Sequence, residues 1–108
     1  MIHQLRIYEI FDHNKQAFHD RFRDHALRIM QSYGFEFVSI WESSVDGRTE
    51  CAYLLEWADA EAMISAWAAF RGDQEWKDIK RVTSAEHGDL VGEIEDKVLR
   101  PTSYSPER

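Results

Sequence analysis

The sequence is poor in the residues that punctuate or staple a chain: one cysteine, two prolines and five glycines in 108 residues. A single thiol, Cys51, excludes an internal disulfide framework and suits a reducing compartment. So little proline and glycine excludes collagen-like and low-complexity chains, and no internal repeat is visible. No apolar run approaches the roughly 20 residues needed to span a bilayer. Met1 to Arg6 leads straight into alternating sequence with no leader-like apolar stretch. A cytoplasmic protein is expected. Basic side chains are scarce, 13 against 20 acidic, which leaves a net charge of −7. That balance lacks the cationic footprint that nucleic acids and anionic membranes require. There is no phosphate loop, nucleophile elbow or dinucleotide fingerprint. No two histidines stand at ligand spacing with a carboxylate, so neither a metal site nor a bound cofactor is expected.

What is present is a foldable composition. Hydrophobic residues make up 44% and aromatic residues 13%, enough for one core and one domain over residues 1–108. Residues 2–10 alternate in the period of two that marks a strand, with Leu5 and Ile7 set against Arg6 and Tyr8. Asn14 is placed to cap a helix over residues 15–33, whose apolar stripe is Phe18, Phe22, Ala26, Ile29 and Tyr33, and Gly34 ends it. Residues 35–42 and 49–57 form two strands joined by a turn at Asp46-Gly47. Asp59 caps a helix buried through Met63, Trp67 and Phe70 and stopped at Gly72, and a further helix covers residues 74–86. A last strand is expected over residues 94–100, and Pro101 and Pro106 hold residues 101–108 as an extended tail.

The order strand, helix, strand, strand, helix, strand predicts an α+β fold of the ferredoxin-like βαββαβ kind. Such a fold has a four-stranded antiparallel sheet with helices on one face. Alternation divides the strand residues into two sets. Leu5, Ile7, Val38, Ile40, Ala52 and Leu54 are aliphatic and are assigned to the helix side. Arg6, Tyr8, Phe37, Ser39, Trp41, Cys51, Tyr53, Leu55 and Trp57 are larger and more aromatic, and are assigned to the bare side. A bulge would exchange members of the two sets. Exposing four or five such side chains would forgo about 1.5–3 kcal/mol each. A second copy of the chain is the economical cover, so a homodimer is expected, with an aromatic-lined cavity between the facing sheets.

Several short stretches carry a family likeness. Leu5-Arg6-Ile7-Tyr8 opens the first strand, Tyr33-Gly34 closes the first helix, and Asp73-Gln74-Glu75-Trp76 opens the third. Leu99-Arg100-Pro101-Thr102-Ser103-Tyr104-Ser105-Pro106 ends the chain and is the most distinctive of the four. In this order the sequence resembles NIPSNAP-type domains over nearly its whole length. The resemblance implies the dimeric α/β-barrel superfamily with ferredoxin-like protomers. It implies no particular activity, because the relatives of that fold include cofactor-independent oxygenases, haem-handling enzymes, isomerases and members with no demonstrated chemistry.

The residues themselves offer candidates. Arg6 and Tyr8 share a strand face and together could bind a carboxylate or stabilise an enolate-type oxyanion. The alternative for Arg6 is an ion pair with Asp96 on the last strand. His25 lies on or beside the buried stripe of the first helix, as a conditional proton acceptor or as a core-edge histidine. Trp41, Tyr53 and Trp57 would wall the cavity. Cys51 reads as a buried, inert thiol. Three functions remain open from the sequence: a homodimer binding or converting a small metabolite, a non-enzymatic dimeric scaffold, and a monooxygenase-like or haem-binding enzyme.

Overall fold

Asp46 and Gly47 both take positive φ, 53° and 75°, and so turn the chain back on itself with the twist that antiparallel strands require. This turn joins β2 (Glu36–Val45) to β3 (Arg48–Trp57). In the computed structural model, which describes residues 1–106, these strands lie in one sheet with β1 (Ile2–Ile10) and β4 (Val91–Leu99). The order is β2-β3-β1-β4, antiparallel throughout, with the helices packed on one face. That is the expected βαββαβ arrangement. No helix among the described residues is long and apolar enough to cross a membrane. Of the expected tail, residues 107 and 108 lie outside the described residues.

The first helix runs over residues 15–32 and is not uniform. An α-helical stretch, α1 (Lys15–Arg21), passes through a π-helical turn (Phe22–Ala26) into α2 (Leu27–Ser32). The Leu27 amide donates to the Phe22 carbonyl, five residues back. The buried side chains explain the turn. Phe18, Phe22, Ala26 and Met30 recur every fourth residue, and four residues of α-helix overshoot a full turn by about 40°. A wider π turn takes up the excess and keeps all four against the sheet. Asn14 does not cap this helix. Its amide donates instead to the backbone oxygens of His87 (3.0 Å) and Asp89 (2.9 Å), tying the helix start to the loop before β4. Gly34, at φ 92°, ends the helix as expected.

Two aspartates begin the remaining helices. Asp59 accepts from the Ala62 amide at the start of α3 (Ala60–Gly72), and Asp73 accepts from the Trp76 amide at the start of α4 (Gln74–His87). β4 begins three residues earlier than the apolar pattern indicates, because Val91 and Glu93 already pair with or bond to the end of β1.

In β1 and β3 the two sheet faces are the reverse of the sequence assignment, whereas Ser39, Ile40 and Trp41 of β2 lie on the sides assigned to them. In β3, Cys51, Tyr53, Leu55 and Trp57 are buried under the helices, from 0% to 4% exposed. Opposite them across β1 stand Tyr8, Arg6, Gln4 and Ile2, so these share the covered side. Tyr53 and Trp57 are therefore core residues and do not wall a cavity between two sheets. The space between sheet and helices takes large rings: Phe35 packs against Trp57, Trp67 and Phe70 at centroid distances of 4.9, 4.8 and 5.7 Å. Leu5, Ile7, Ala52 and Leu54 lie on the helix-free face. In β2 a bulge between Phe37 and Ser39 splits the aromatic set. Phe37 stays on the helix side against Phe22 and Tyr53, and Ile40 follows it, opposite Tyr53. Trp41 falls opposite Ala52 and emerges on the helix-free face, 50% exposed.

Candidate functional site

Alternation along β1 brings Gln4, Arg6 and Tyr8 to the helix side, and the register of β4 sets Asp96 directly opposite Arg6. A continuous polar network results inside an otherwise aromatic layer. The Gln4 side-chain oxygen accepts from the indole N–H groups of Trp57 (3.0 Å) and Trp67 (2.8 Å), and its amide donates to Asp96 Oδ1 at 2.9 Å. Asp96 Oδ2 receives Arg6 Nη1 at 3.1 Å. Arg6 Nη2 donates to the Tyr8 hydroxyl at 3.1 Å, and that hydroxyl meets the Tyr53 hydroxyl at 2.6 Å. The pairing with Asp96, one of the two readings of Arg6 from sequence, is thus present.

Arg6 is held on three sides. Its guanidinium carbon stands 4.4 Å from the Trp67 ring centroid and 5.2 Å from that of Tyr8, and 12% of the side chain is exposed. Burial works against the cation, but the phenol oxygens of Tyr8 and Tyr53 overcome that penalty and hold Arg6 charged. Burial, with Tyr8 adding to it, pushes the Tyr53 phenol well above its ordinary range. One donor of Arg6, the buried Nε, has no partner among the described residues. Gln4 is the member that sequence reasoning missed. Its signal was its position two residues before Arg6, on the same face of a strand.

His25 sits in the π turn, half-buried, and its buried Nδ1 likewise has no partner among the described residues. It forms part of the wall of a cleft of about 400 Å³ between the first helix and α4. None of the residues lining this cleft comes from the sheet, so Arg6 and Tyr8 do not reach it directly. A smaller cleft of about 240 Å³ lies beside Ile40 and Cys51, under Phe22 and Leu27. Burial there, with Glu42 nearby, pushes the Cys51 thiol up to about 11, so the thiolate does not form near neutrality. No group of three His, Cys, Asp or Glu side chains able to hold a metal ion occurs among the described residues.

The helix-free face has its own order. Leu5, Ile7, Ala52, Leu54 and Trp41 form an apolar centre. At one end Arg48 pairs with Glu50 (3.0 Å), Glu93 (3.0 Å) and Glu9 (3.8 Å), and at the other His3 meets Glu56 at 3.4 Å. An apolar middle framed by polar and charged side chains is the composition of an interface core and rim.

Comparison with known proteins settles the family. The NIPSNAP family model matches residues 3–106. The chain belongs to the NIPSNAP family. Its fold is shared with an uncharacterised NIPSNAP-like domain protein from Burkholderia xenovorans, at 20% identity and a TM-score of 0.80, covering 98% of this chain and 89% of that one. A NIPSNAP family protein of unknown function from Agrobacterium tumefaciens is equally similar, at 20% identity and a TM-score of 0.80, over 98% of this chain and 92% of that one. More distant is a putative antibiotic biosynthesis monooxygenase from Nitrosomonas europaea, at 15% identity and a TM-score of 0.61, over 96% of this chain and all of that one. No protein of curated function matches this NIPSNAP chain. At these identities the structural likeness carries the ferredoxin-like fold and not a reaction.

Proposed function

We propose that this NIPSNAP chain works as a homodimer closed through the helix-free face of its sheet, and that each protomer binds a small metabolite on the helix side. Five apolar side chains, Leu5, Ile7, Ala52, Leu54 and Trp41, form a patch on that face that a single protomer covers only in part. Leu5, Ile7, Ala52 and Leu54 are half-buried and Trp41 is 50% exposed, so covering what remains open gains part of the about 1.5–3 kcal/mol that full burial of a large apolar side chain is worth. A two-fold related copy presents the same patch and satisfies it, and Trp41 then serves the seam and not a pocket wall.

The ligand reading rests on one observation: the cleft of about 400 Å³ whose wall carries His25, a histidine with a buried ring nitrogen that no described residue satisfies. That volume lies within the range usual for small-molecule sites, about 300–1,000 Å³. In this reading His25 takes the proton-accepting role at the cleft, while Arg6 and Tyr8, which do not line it, belong to the polar network on the sheet. Tyr53 and Trp57 fix those two from below through the Tyr53 hydroxyl and Gln4. The test is a fragment titration followed by two-dimensional amide NMR. Saturable shifts confined to residues 17–25 and 78–87 are expected; shifts on the helix-free face, or none, overturn the ligand reading.

A second reading has its own support. Arg6 is already neutralised by Asp96 and hydrogen-bonded to a phenol, which is the arrangement of a structural arginine. A dimeric scaffold without chemistry uses the same seam and leaves the cleft empty. The same titration separates the two.

A further inference from the structure

The cleft between the first helix and α4 contains a cation that pairs with no carboxylate among the described residues. Arg21 stands in its wall, half-buried, with its guanidinium carbon 5.3 Å from the Trp76 ring centroid. Burial lowers its pKa, and among the described residues the phenol of Tyr8 alone acts in the other direction, with no carboxylate contributing. A half-buried cation without a counter-ion carries an unrecovered desolvation cost.

The four acidic residues around the cleft do not supply that counter-ion, because each is engaged elsewhere. Asp20 accepts from Gln16 (2.9 Å) and Arg23 (3.1 Å), and Asp24 accepts twice from Arg23, at 2.8 and 3.0 Å. Asp78 accepts from Gln74 at 3.0 Å and pairs with Arg81 at 3.7 Å, and Glu86 meets His87 at 3.5 Å. Between these acids the walls are apolar, from Ala17, Ile79 and Val82. His25, four residues beyond Arg21, adds the unpartnered ring nitrogen.

We propose that this cleft binds a small monocarboxylate with an apolar body, its carboxylate seated on Arg21 and its body against Ala17, Ile79 and Val82. One negative charge satisfies Arg21. A second would face the engaged but still anionic rim of Asp20, Asp24, Asp78 and Glu86 and be repelled, so dicarboxylates and phosphate monoesters are excluded. This inference rests on the reading of the cleft as a ligand site and adds the charge class of the ligand.

The full chain is titrated with benzoate, with its neutral isostere benzamide and with the dianion phthalate, each followed by amide NMR. Benzoate is expected to bind at residues 17–25 and 78–87 about tenfold or more tighter than benzamide. Phthalate is expected to bind more weakly than benzoate. In Arg21→Gln the preference for benzoate over benzamide disappears, and Arg21→Lys retains part of it. Equal affinity for benzoate and benzamide in the unmodified chain, or a preference that survives in Arg21→Gln, overturns the charge class while leaving the cleft a ligand site. Absence of any saturable shift at these residues with all three probes overturns both.

Discussion

The two faces of the sheet are built from the same alternating strands and differ in kind. The helix side carries Tyr8, Tyr53, Trp57 and Phe37 with a polar network threaded among them, and over β3 it is closed by the protomer's own helices, while Ile94 and Val98 on the edge strand β4 stay 52% and 37% exposed. The helix-free side carries short aliphatic residues and one indole, framed by ion pairs, and one protomer leaves it open. Ring size therefore does not report which face lacks a cover. Here the helix side is filled by rings whose polar tips find hydrogen-bond partners, Tyr53 with Tyr8 and Trp57 with Gln4, whereas the helix-free side keeps aliphatic side chains of the kind that interdigitate when sheet packs on sheet. On this account the helix side supplies the stability of the protomer and the other side supplies its assembly.

The sharpest way to separate the two roles is to damage each face in turn. Trp67→Ala removes a buried ring, the stack on Arg6 and a hydrogen bond to Gln4, and is expected to cost about 3–5 kcal/mol in urea unfolding. Loss of less than about 1 kcal/mol would mean that the helix side is not the core it appears from its burial. Ile7→Asp, on the helix-free face, is expected to weaken dimer association about a hundredfold or more in sedimentation, with helical circular dichroism unchanged. A variant that unfolds instead would show that this face also belongs to the protomer's core.

A finer probe stays within the helix side. Tyr8→Phe takes one hydroxyl from the pair with Tyr53 and one acceptor from Arg6, and should cost about 1–2 kcal/mol without altering the association state. The smallest effect is electrostatic and touches neither face. The Tyr33 hydroxyl, 2.6 Å away, and the Trp76 amide hold the Asp73 carboxyl below its ordinary value of 3.8. A depressed carboxyl stabilises the fold above that ordinary value, and the contribution fades as pH falls through the folded-state value. Asp73→Asn should therefore flatten the dependence of the unfolding midpoint on pH below about 4. An unchanged acid limb would remove Asp73 from the account.

Much of the fold was legible because its signals are local. Asp46-Gly47, Gly34, Asp59 and Asp73 each act through backbone geometry or capping within a few residues, and each does what its type predicts. Asn14 was misread because its partners, the carbonyls of His87 and Asp89, are more than seventy residues away in sequence. The parity of β1 and β3 was legible and the assignment of the two sets was not. Alternation says which residues share a face, but only packing says which face the helices occupy. The bulge in β2 that sends Trp41 outward leaves no composition signal. Of the candidate residues, Arg6 and Tyr8 are in contact as strand geometry requires, and His25 is set apart from them in a cleft between helices. Arg21 carried no signal at all, since an unpaired cation becomes visible only when its neighbours are known.

Sedimentation equilibrium of the unmodified chain at micromolar concentration puts the division of labour between the faces to its plainest trial. The expected mass is twice that of the 12.8 kDa chain, falling to a single chain in Ile7→Asp. A mass of one chain in the unmodified protein would leave its apolar seam facing water and contradict the account.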